Sequence, residues 1–229
     1  MREAIVLAGG FGTRLREVVP DWPKPMAPVA GRPFLEILLC SLASKGFSRV
    51  VLSLGYMAEK ISSHFGNRFA GMDLDYVVED SPLGTGGAVR LAMTRCTQDH
   101  VFVLNGDTFL DLEASAIDEY WLSRRNPLIV ARQVPDTARF GRLLVQDDLV
   151  LGFTEKGVFG QGLINGGCYV FDSTQLDHFA LNQPFSLEAD FLAPAVQRMP
   201  VNVFVTSGHF IDIGVPEDYQ RAQTELAGR

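Results

Sequence analysis

Residues 7–28, LAGGFGTRLREVVPDWPKPMAP, form the stretch on which the interpretation of the whole chain depends. They follow a short apolar run, residues 4–7, that predicts a buried parallel strand. Gly9, Gly10 and Gly12 would lie just beyond the carboxyl end of that strand, where the missing side chains let a ligand approach backbone N–H groups. The pattern predicts a loop that binds an anion such as phosphate.

Two cations in the same stretch favour a phosphate site. Arg14 can bind two phosphate oxygens through its planar guanidinium, and Lys24, between Pro23 and Pro25, supplies a compact charge on a stiff backbone. Any one of these residues alone would be typical of a surface turn. Their combination indicates a site built for phosphate groups.

Two common phosphate motifs are excluded by the residues that follow the glycines. A P-loop continues with Lys and Ser or Thr, whereas Gly12 is followed by Thr13 and Arg14. The dinucleotide fingerprint needs a third glycine that opens a helix, but Leu15 stands in that place. An ordinary P-loop NTPase and a dinucleotide-dependent dehydrogenase therefore do not fit.

The segment GGFGTRL followed by PKPMAPV resembles the signature of the sugar-1-phosphate nucleotidyltransferases. These enzymes join a nucleoside triphosphate to a sugar 1-phosphate and release pyrophosphate. The resemblance implies a Rossmann-like three-layer α/β/α fold of the GT-A-like type, with a mixed central sheet and a small β-rich sugar-binding extension. It also implies a catalytic role for Arg14 and Lys24, and nucleotide contacts from Leu7, Gly9, Gly10, Gly12 and Thr13.

The length and the alternation of strand and helix patterns predict a single α/β domain. The chain has 229 residues, with neither a linker nor an internal repeat. We expect a nucleotide-binding half at about residues 1–126 and a sugar-binding half at about residues 127–229. The chain ends without the extra domain of longer relatives, so a fused acetyltransferase or isomerase is not expected.

The charge balance argues against nucleic acid or an anionic membrane as a partner. The formal net charge is −7, from 27 acidic and 20 basic residues. A nucleotide remains compatible, because a cation about 4 Å from a phosphate gains ~4 kcal/mol at an effective dielectric near 20, while distant carboxylates are screened. With neither a signal peptide nor a run of ~20 apolar residues, a cytoplasmic protein is expected.

The three cysteines and four histidines are scattered along the sequence. Cys40, Cys96 and Cys168 have neither the even count of a disulfide framework nor the close pairing of a zinc site. We expect them to be small buried hydrophobic residues, the first two in helices and the last in a strand. No two histidines have metal-ligand spacing.

Hydrophobic periodicity predicts the elements along the chain. Helices are predicted at residues 33–45, 56–65 and 190–198, and from Pro216 onward. Strands are predicted at residues 49–54, 74–79, 101–104, 128–133, 142–145, 149–154 and 201–205. The short strands after residue 127 are the predicted β-rich extension that covers the sugar.

The segment EDSPLGTGGA, residues 79–88, predicts a loop that opens a helix of about ten residues with free amide groups at its start. It resembles the base-recognition loop of the family, which implies nucleotide contacts from Glu79, Pro82, Gly84 and Thr85. A carboxylate at Glu79 could accept both N1–H and the exocyclic amine of guanine, which favours GTP. A strand-end glutamate is also commonly just solvated.

Two aspartates are candidate metal ligands. Asp107 follows the strand at residues 101–104, on the sheet edge that should also carry the glycine loop. Asp212 lies between apolar neighbours, where a lone carboxylate would be costly without a partner. The resemblance implies that both hold Mg²⁺, a hard cation that suits carboxylate oxygens.

The sugar 1-phosphate contacts are implied by the resemblance alone. Glu155 would accept sugar hydroxyls and Lys156 would hold the sugar's phosphate, although adjacent acid and base are more often a solvated pair. The remaining sugar-contacting positions are Asn105, Gly141, Asn165 and Gly166.

These residues predict an in-line displacement at the α-phosphate without a general base, since a phosphate monoester with a second pKa of about 6 is already ionised. Within the family, the motifs most resemble heptose-1-phosphate guanylyltransferases. Guanylyltransferases of mannose 1-phosphate come second, and uridylyl- or thymidylyltransferases of other hexose phosphates third. A non-catalytic sugar-nucleotide sensor is a minor alternative, and a homo-oligomer stays open.

Overall fold

A computed structural model describes residues 1–10, 15, 19 and 22–229 of the protein. The predicted site residues Gly12, Thr13 and Arg14 lie outside the described residues. The strands, numbered β1 to β14 in chain order, are Arg2–Leu7, Pro28–Val29, Arg32–Pro33, Phe47–Leu54, Arg68–Phe69, Met72–Val78, His100–Asn105, Thr108–Leu110, Leu128–Val134, Leu143–Gln146, Leu149–Phe153, Gly162–Asp172, Asn202–Thr206 and Phe210–Asp212.

The helices α1 to α6 are Phe34–Ser44, Ala58–Phe65, Gly84–Met93, Ala114–Arg124, Ala193–Ala195 and Pro216–Glu225. A 3₁₀-helix covers Lys24–Met26 and a π-helix covers Leu187–Leu192. None of the helices in the described ranges is long and apolar enough to span a bilayer.

Ten strands form one mixed sheet in the order β10-β11-β13-β9-β12-β7-β1-β4-β6-β5. Strand β1 pairs in parallel with β4 and β7, and β4 pairs in parallel with β6, which gives the predicted βαβ arrangement. Strand β12 runs antiparallel between β7 and β9. The predicted mixed α/β sheet is confirmed.

The two faces of this sheet carry separate apolar clusters. One cluster includes Leu35 and Leu38 of α1 and Trp121 of α4. The other includes Val89 of α3 and Phe191 of the π-helix. Because strand residues alternate between the faces, helices cover both sides and give the three layers predicted from the sequence.

The β-rich region after residue 127 extends the main sheet. Strand β12 is buried along most of its length, with Cys168, Tyr169, Val170 and Phe171 fully covered. A strand with both faces apolar belongs in the interior of a sheet, so β12 joins β9 to β7. Strand β10 forms the edge at this end of the sheet, with β11 next to it.

Two helical regions differ from the predictions. The segment predicted as a helix over residues 190–198 is the π-helix followed by the single turn Ala193–Ala195, since Pro194 has no N–H to continue a regular helix. Helix α4 has no counterpart among the predicted elements. The cysteines agree in part: Cys168 is buried, whereas Cys40 and Cys96 are half-buried, and Cys96 lies just after α3.

Candidate active site

The carboxyl ends of β1, β4, β6 and β7 border a cavity of about 510 Å³. Loops that follow these strands supply most of its lining, as expected for the ligand-binding edge of a parallel sheet. Ten of the predicted site residues line it: Leu7, Gly9, Gly10, Lys24, Glu79, Pro82, Gly84, Thr85, Asn105 and Asp107. The predicted nucleotide-binding residues within the described ranges therefore meet in one place.

The first glycines of the loop have different surroundings. A Cβ on Gly9 would lie 3.0 Å from the backbone nitrogen of Gly55, so this glycine lets the two loops pack backbone to backbone. A Cβ on Gly10 would meet no atom within 4 Å, although Gly10 lines the cavity. Gly10 thus leaves open space for a ligand. Gly55 was missed by sequence reasoning, because a lone glycine after a strand is an ordinary turn signal.

Lys24 lies at the mouth of the cavity, in the 3₁₀-helix that begins after Pro23. Its Nζ contacts Oδ2 of Asp107 at 2.5 Å. The Lys24 side chain is only 12% exposed, so the ammonium is held in place before any substrate arrives. The structure confirms that residues 83 positions apart in the sequence come together at this edge.

Asp212 joins this cluster from the small sheet of β8 and β14. It is opposite Thr108, the residue after Asp107, and its Oδ1 accepts a hydrogen bond from the Gly214 N–H at 2.6 Å. Burial raises the pKa of the Asp212 carboxyl, and the negative charge of Asp107 raises it further, against the opposing effects of Lys24 and the Gly214 N–H. The carboxylates of Asp107 and Asp212 therefore repel each other, and a nearby positive charge stabilises their ionised forms.

This donor set fits a hard divalent cation. Asp107 and Asp212 offer carboxylate oxygens close enough to repel each other, and a cation between them would relieve that repulsion. In the part of the chain that the structure describes, no group of three or more His, Cys, Asp or Glu side chains is arranged to hold a metal ion. The remaining ligands would therefore come from water and substrate, as is typical of Mg²⁺ at phosphates.

Glu79 lines the cavity from the end of β6. Its backbone N–H donates to the Leu54 carbonyl at 2.9 Å, and its Oε2 accepts the Leu83 N–H at 2.8 Å. Burial raises the pKa of the Glu79 carboxyl, and the Leu83 N–H opposes this shift. One carboxylate oxygen therefore already has a partner in the loop, while the carboxylate keeps unused acceptor capacity toward a base.

The prediction of free amide groups at the start of α3 is wrong for two of them. The N–H groups of Gly86 and Gly87 both donate to the Phe185 carbonyl, at 2.9 and 3.4 Å. Residues 183–187, which we call the bridging segment, cover this helix start. A Cβ on Gly86 would lie 2.1 Å from the Phe185 ring, so the glycine is required for that packing. Local sequence gave no indication of this distant partner.

Thr85 and Gly84 contact the same bridging segment. The hydroxyl oxygen of Thr85 accepts the Leu187 N–H at 2.9 Å. Gly84 has φ +68°, and a Cβ there would lie 2.6 Å from the Phe185 carbonyl oxygen. These two predicted nucleotide-binding residues line the cavity and also hold a segment of the second half of the chain.

The predicted sugar-contacting residues other than Asn105 lie on strands and loops outside the lining of this cavity. Gly141 has φ +76°, and a Cβ there would lie 2.8 Å from the Thr154 carbonyl oxygen. It therefore brings its loop against the residue that precedes Glu155 and Lys156. Both of these charged side chains are exposed in the loop between β11 and β12.

Asn165 lies on β12 at a bulge in its pairing with β9. Its Nδ2 donates to the Tyr169 hydroxyl at 2.6 Å and to Oε1 of Glu188 at 2.8 Å, and its Oδ1 accepts the Gly167 N–H at 3.0 Å. Glu188 was missed as a site residue, although Ser186-Leu187-Glu188 is visible in the sequence as a helix start.

Gly166 and Asn105 connect β12 with its neighbours. A Cβ on Gly166 would lie 2.9 Å from the Val130 carbonyl oxygen, so close packing against β9 requires this glycine. A Cβ on Gly167 would lie 2.8 Å from Nδ2 of Asn105. Asn105 therefore lies between the nucleotide cavity and the strand that carries Asn165.

A cavity of this size at the carboxyl ends of parallel strands is lined by Lys24 and Asp107, with Asp212 close to both, and this arrangement is typical of an α/β protein that binds phosphorylated ligands. Comparison with known proteins identifies its kind. A family model described as nucleotidyl transferase matches residues 3–229. The chain belongs to the nucleotidyl transferase family, whose members typically use a divalent metal.

Relatives of the same length carry a more specific name. The chain is 40% identical, over 98% of both chains, to a D-glycero-alpha-D-manno-heptose 1-phosphate guanylyltransferase from Aneurinibacillus thermoaerophilus. It is 39% identical to a protein of the same name from Campylobacter jejuni, over 95% of this chain and 96% of that one.

A solved structure matches the whole fold. The chain is similar to HddC from Yersinia pseudotuberculosis, with a TM-score of 0.89 and 37% identity over 99% of this chain and all of that one. HddC has also been solved in complex with GMP-PN, and that structure matches with a TM-score of 0.88.

Proposed function

We propose that this protein transfers GMP from GTP to D-glycero-α-D-manno-heptose 1-phosphate, producing GDP-heptose and pyrophosphate. The names of the full-length relatives and the guanine nucleotide analogue bound to HddC support the choice of substrates. The structural observation that carries the proposal is the Lys24–Asp107–Asp212 cluster, in which Lys24 and Asp107 line the nucleotide cavity and Asp212 lies beside them.

The reaction needs positioning and charge neutralisation more than acid–base chemistry. A phosphate oxygen of the sugar 1-phosphate attacks the α-phosphorus of GTP, the new P–O bond forms, and the bond to the β-phosphate oxygen breaks. The attacking phosphate is already ionised near neutral pH, so no protein group has to remove a proton. Pyrophosphate leaves with the bonding electron pair.

The protein groups act on this displacement through charge. Lys24 binds phosphate oxygens as the pyrophosphate leaves, and Arg14, whose role is inferred from the sequence, neutralises charge on the same group. Asp107 and Asp212 would hold Mg²⁺, which when bound neutralises phosphate oxygens on both substrates. The Lys24–Asp107 contact keeps the cluster ordered in the absence of substrate.

Recognition of the two substrates is divided between the two halves of the chain. In the nucleotide-binding half, residues 1–126, Glu79 accepts the N1–H and exocyclic amine of guanine, and the glycine loop binds the phosphates. In the sugar-binding half, residues 127–229, Glu155 accepts sugar hydroxyls and Lys156 binds the sugar phosphate. Asn165, on β12, adds an acceptor, and Gly141 sets the position of the Glu155 loop.

The test is pyrophosphate release with Mg²⁺. GTP, UTP, dTTP, CTP and ATP are each paired with the heptose, mannose and glucose 1-phosphates. Release is expected with GTP and the heptose phosphate. A preference for mannose 1-phosphate would mean that the sugar substrate is mannose 1-phosphate. A preference for UTP or dTTP would mean that the nucleotide substrate is not GTP. A folded protein that releases pyrophosphate with no pair would contradict the proposal and favour a non-catalytic sensor.

A further inference from the structure

Four hydrogen bonds join the start of α3 to the bridging segment. The Phe185 N–H donates to the Leu83 carbonyl at 3.0 Å, and the Phe185 carbonyl accepts the N–H groups of Gly86 and Gly87 at 2.9 and 3.4 Å. The fourth bond runs from the Leu187 N–H to the Thr85 hydroxyl oxygen. Only this fourth bond depends on a side chain, so a single substitution can remove it while the other three remain.

The bridging segment leads directly into the residue that orients Asn165. Leu187 is followed by Glu188, whose carboxylate accepts the Asn165 amide. The π-helix that begins at Leu187 is further fixed by Ser186, whose hydroxyl accepts the Ala189 N–H at 3.1 Å. A displacement of Leu187 therefore moves Glu188 relative to β12.

The partners of Asn165 allow one orientation of its amide group. A carboxylate can only accept, so Nδ2 must face Glu188, and the Gly167 N–H can only donate, so Oδ1 must face Gly167. Both Nδ2 protons are used, by Glu188 and the Tyr169 hydroxyl. What Asn165 can still offer to a sugar hydroxyl is the second lone pair of Oδ1.

We propose that Thr85 is a positioning residue for the sugar 1-phosphate site, acting through Leu187 and Glu188 to hold the Asn165 amide in the orientation that accepts a sugar hydroxyl. The inference rests on the proposed function, in which Asn165 contacts the sugar. Thr85 lines the nucleotide cavity, yet its hydroxyl oxygen is used by the opposite half of the chain. Thr85 therefore links the wall of the nucleotide cavity to the half of the chain that is proposed to bind the sugar.

The test is Thr85→Val, which keeps the shape of the side chain and removes the acceptor. The KM for the sugar 1-phosphate is expected to rise about 5- to 30-fold, while the dissociation constant of GTP changes by less than about twofold. Thr85→Ser, which keeps the hydroxyl, should restore the wild-type KM. Thr94→Val removes a hydroxyl that bonds Leu91 at the other end of α3, and serves as the matched control.

A weaker affinity for GTP in Thr85→Val, with the sugar KM unchanged, would overturn the proposal and make Thr85 a direct nucleotide contact. Unchanged values of both constants would also overturn it. Glu188→Ala provides a second variant, because this exposed side chain can be removed without opening the core. It should raise the sugar KM as well, and the double variant should be no worse than the more impaired single variant. Additive increases in the sugar KM would show that Thr85 and Glu188 act independently, and would contradict the proposal.

A measurement without turnover separates this inference from the proposed function. Amide hydrogen exchange at Leu187 is expected to accelerate about 5- to 30-fold in Thr85→Val and to stay at the wild-type rate in Thr85→Ser. Unchanged exchange in Thr85→Val would overturn the inference even if the enzyme works as proposed. Conversely, absence of turnover of the heptose phosphate by the wild-type protein would contradict the proposed function. The KM values of the Thr85 variants would then be compared with whichever sugar 1-phosphate is turned over.

Discussion

The proposed nucleotide side and the proposed sugar side of the site differ in how their charged groups are held. On the nucleotide side, Lys24 and Asp107 contact each other, and Asp212 is half-buried beside them. On the sugar side, Glu155 and Lys156 are exposed, and within the described part of the chain no ion pair involves them. Backbone bonds hold their loop, such as the one from the Gly157 N–H to the Ala138 carbonyl.

This difference indicates a division of labour. In the proposed function, the groups that meet the highly charged triphosphate are preorganised and partly desolvated, which makes their electrostatic effects strong. The groups proposed to meet the sugar 1-phosphate would be ordered by the substrate, which costs side-chain entropy at binding. Substitutions on the two sides should therefore change different kinetic constants.

The largest effect is expected from Asp107→Asn, which keeps the size of the side chain and removes its charge. Because Asp107 contacts Lys24 and is one of two carboxylates for the metal, kcat should fall about 10²- to 10³-fold or more. Steady-state pyrophosphate release measures the loss.

Asp111→Asn is the matched control, since Asp111 pairs with Lys45 and Arg229 away from the cavity lining. It should keep kcat within about twofold of wild type, because exposed ion pairs contribute little. Equal losses in the two variants would mean that Asp107 acts through general charge or folding, and would remove it from the metal site.

A smaller effect is expected from Lys156→Ala. Loss of a charge-assisted contact to the sugar phosphate should lower kcat/KM for the sugar 1-phosphate about 10- to 100-fold, mainly through KM. Because Lys156 is exposed, the free energy of unfolding should change by less than about 0.5 kcal/mol.

Arg198→Ala is the control for Lys156→Ala, because Arg198 is another exposed basic residue in the second half of the chain. It should leave the kinetics of both substrates near wild type. If Lys156→Ala instead raised the KM for GTP, the assignment of this lysine to the sugar side would be contradicted and the division of labour with it.

A glycine substitution tests stability instead of chemistry. In Gly86→Ala the new methyl group would lie 2.1 Å from the Phe185 ring, which is itself stacked on Phe179 with centroids 3.9 Å apart. Overpacking should lower the free energy of unfolding by about 1–3 kcal/mol. The higher helix propensity of alanine should offset up to ~1 kcal/mol of that loss. Urea denaturation measures the change.

Gly10→Ala is expected to weaken GTP binding without lowering stability, the reverse of what is expected of Gly86→Ala. Its methyl group would meet nothing within 4 Å, so stability should stay within about 0.5 kcal/mol of wild type while GTP affinity falls. A destabilised Gly10→Ala, or a Gly86→Ala as stable as wild type, would show that the two glycines do not have the separate roles that the structure gives them.

The parts of the site that follow from sheet geometry could be predicted from the sequence. Apolar runs locate the parallel strands, and the carboxyl ends of such strands must lie at one edge, so Gly9, Lys24 and Asp107 could be brought together without a structure. The apolar neighbours of Asp212 predicted only that this carboxylate has a partner or access to water, and its raised pKa reflects its burial. That the partner is a site shared with Asp107 was implied by the resemblance to the family.

Features that depend on distant side-chain contacts could not be predicted. Nothing near Thr85 indicates that its hydroxyl bonds Leu187, which lies 102 residues away. The start of α3 was predicted to offer free amide groups, whereas the N–H groups of Gly86 and Gly87 donate to the Phe185 carbonyl. Helix α4 could have been found, since Ala114, Ile117 and Trp121 form a buried face at helical spacing.

The smallest effect concerns Glu79 and the pH dependence of GTP binding. Burial raises the pKa of its carboxyl above the ordinary value of 4.5. Only the ionised form accepts both guanine donors, so affinity for GTP should be full at neutral pH and fall as the pH drops through the raised pKa. One proton allows a slope of at most about tenfold per pH unit. In Glu79→Gln the affinity at neutral pH should be about 3- to 10-fold weaker, because a neutral amide accepts one donor and presents another to the base.

The triphosphate also titrates in this range, and calorimetric titrations of wild type and Glu79→Gln across the same pH series separate the two contributions. Protonation of the triphosphate affects both proteins equally, so the difference between the two curves reports Glu79 alone. That difference should shrink as the pH falls, since a protonated Glu79 resembles the amide. A constant difference at all pH values would mean that Glu79 acts on the Leu83 loop and not on the base. The protein would then select GTP through backbone groups of the Leu83 loop. In that case both the groups that bind the phosphates and those that bind the purine would be in place before the nucleotide arrives.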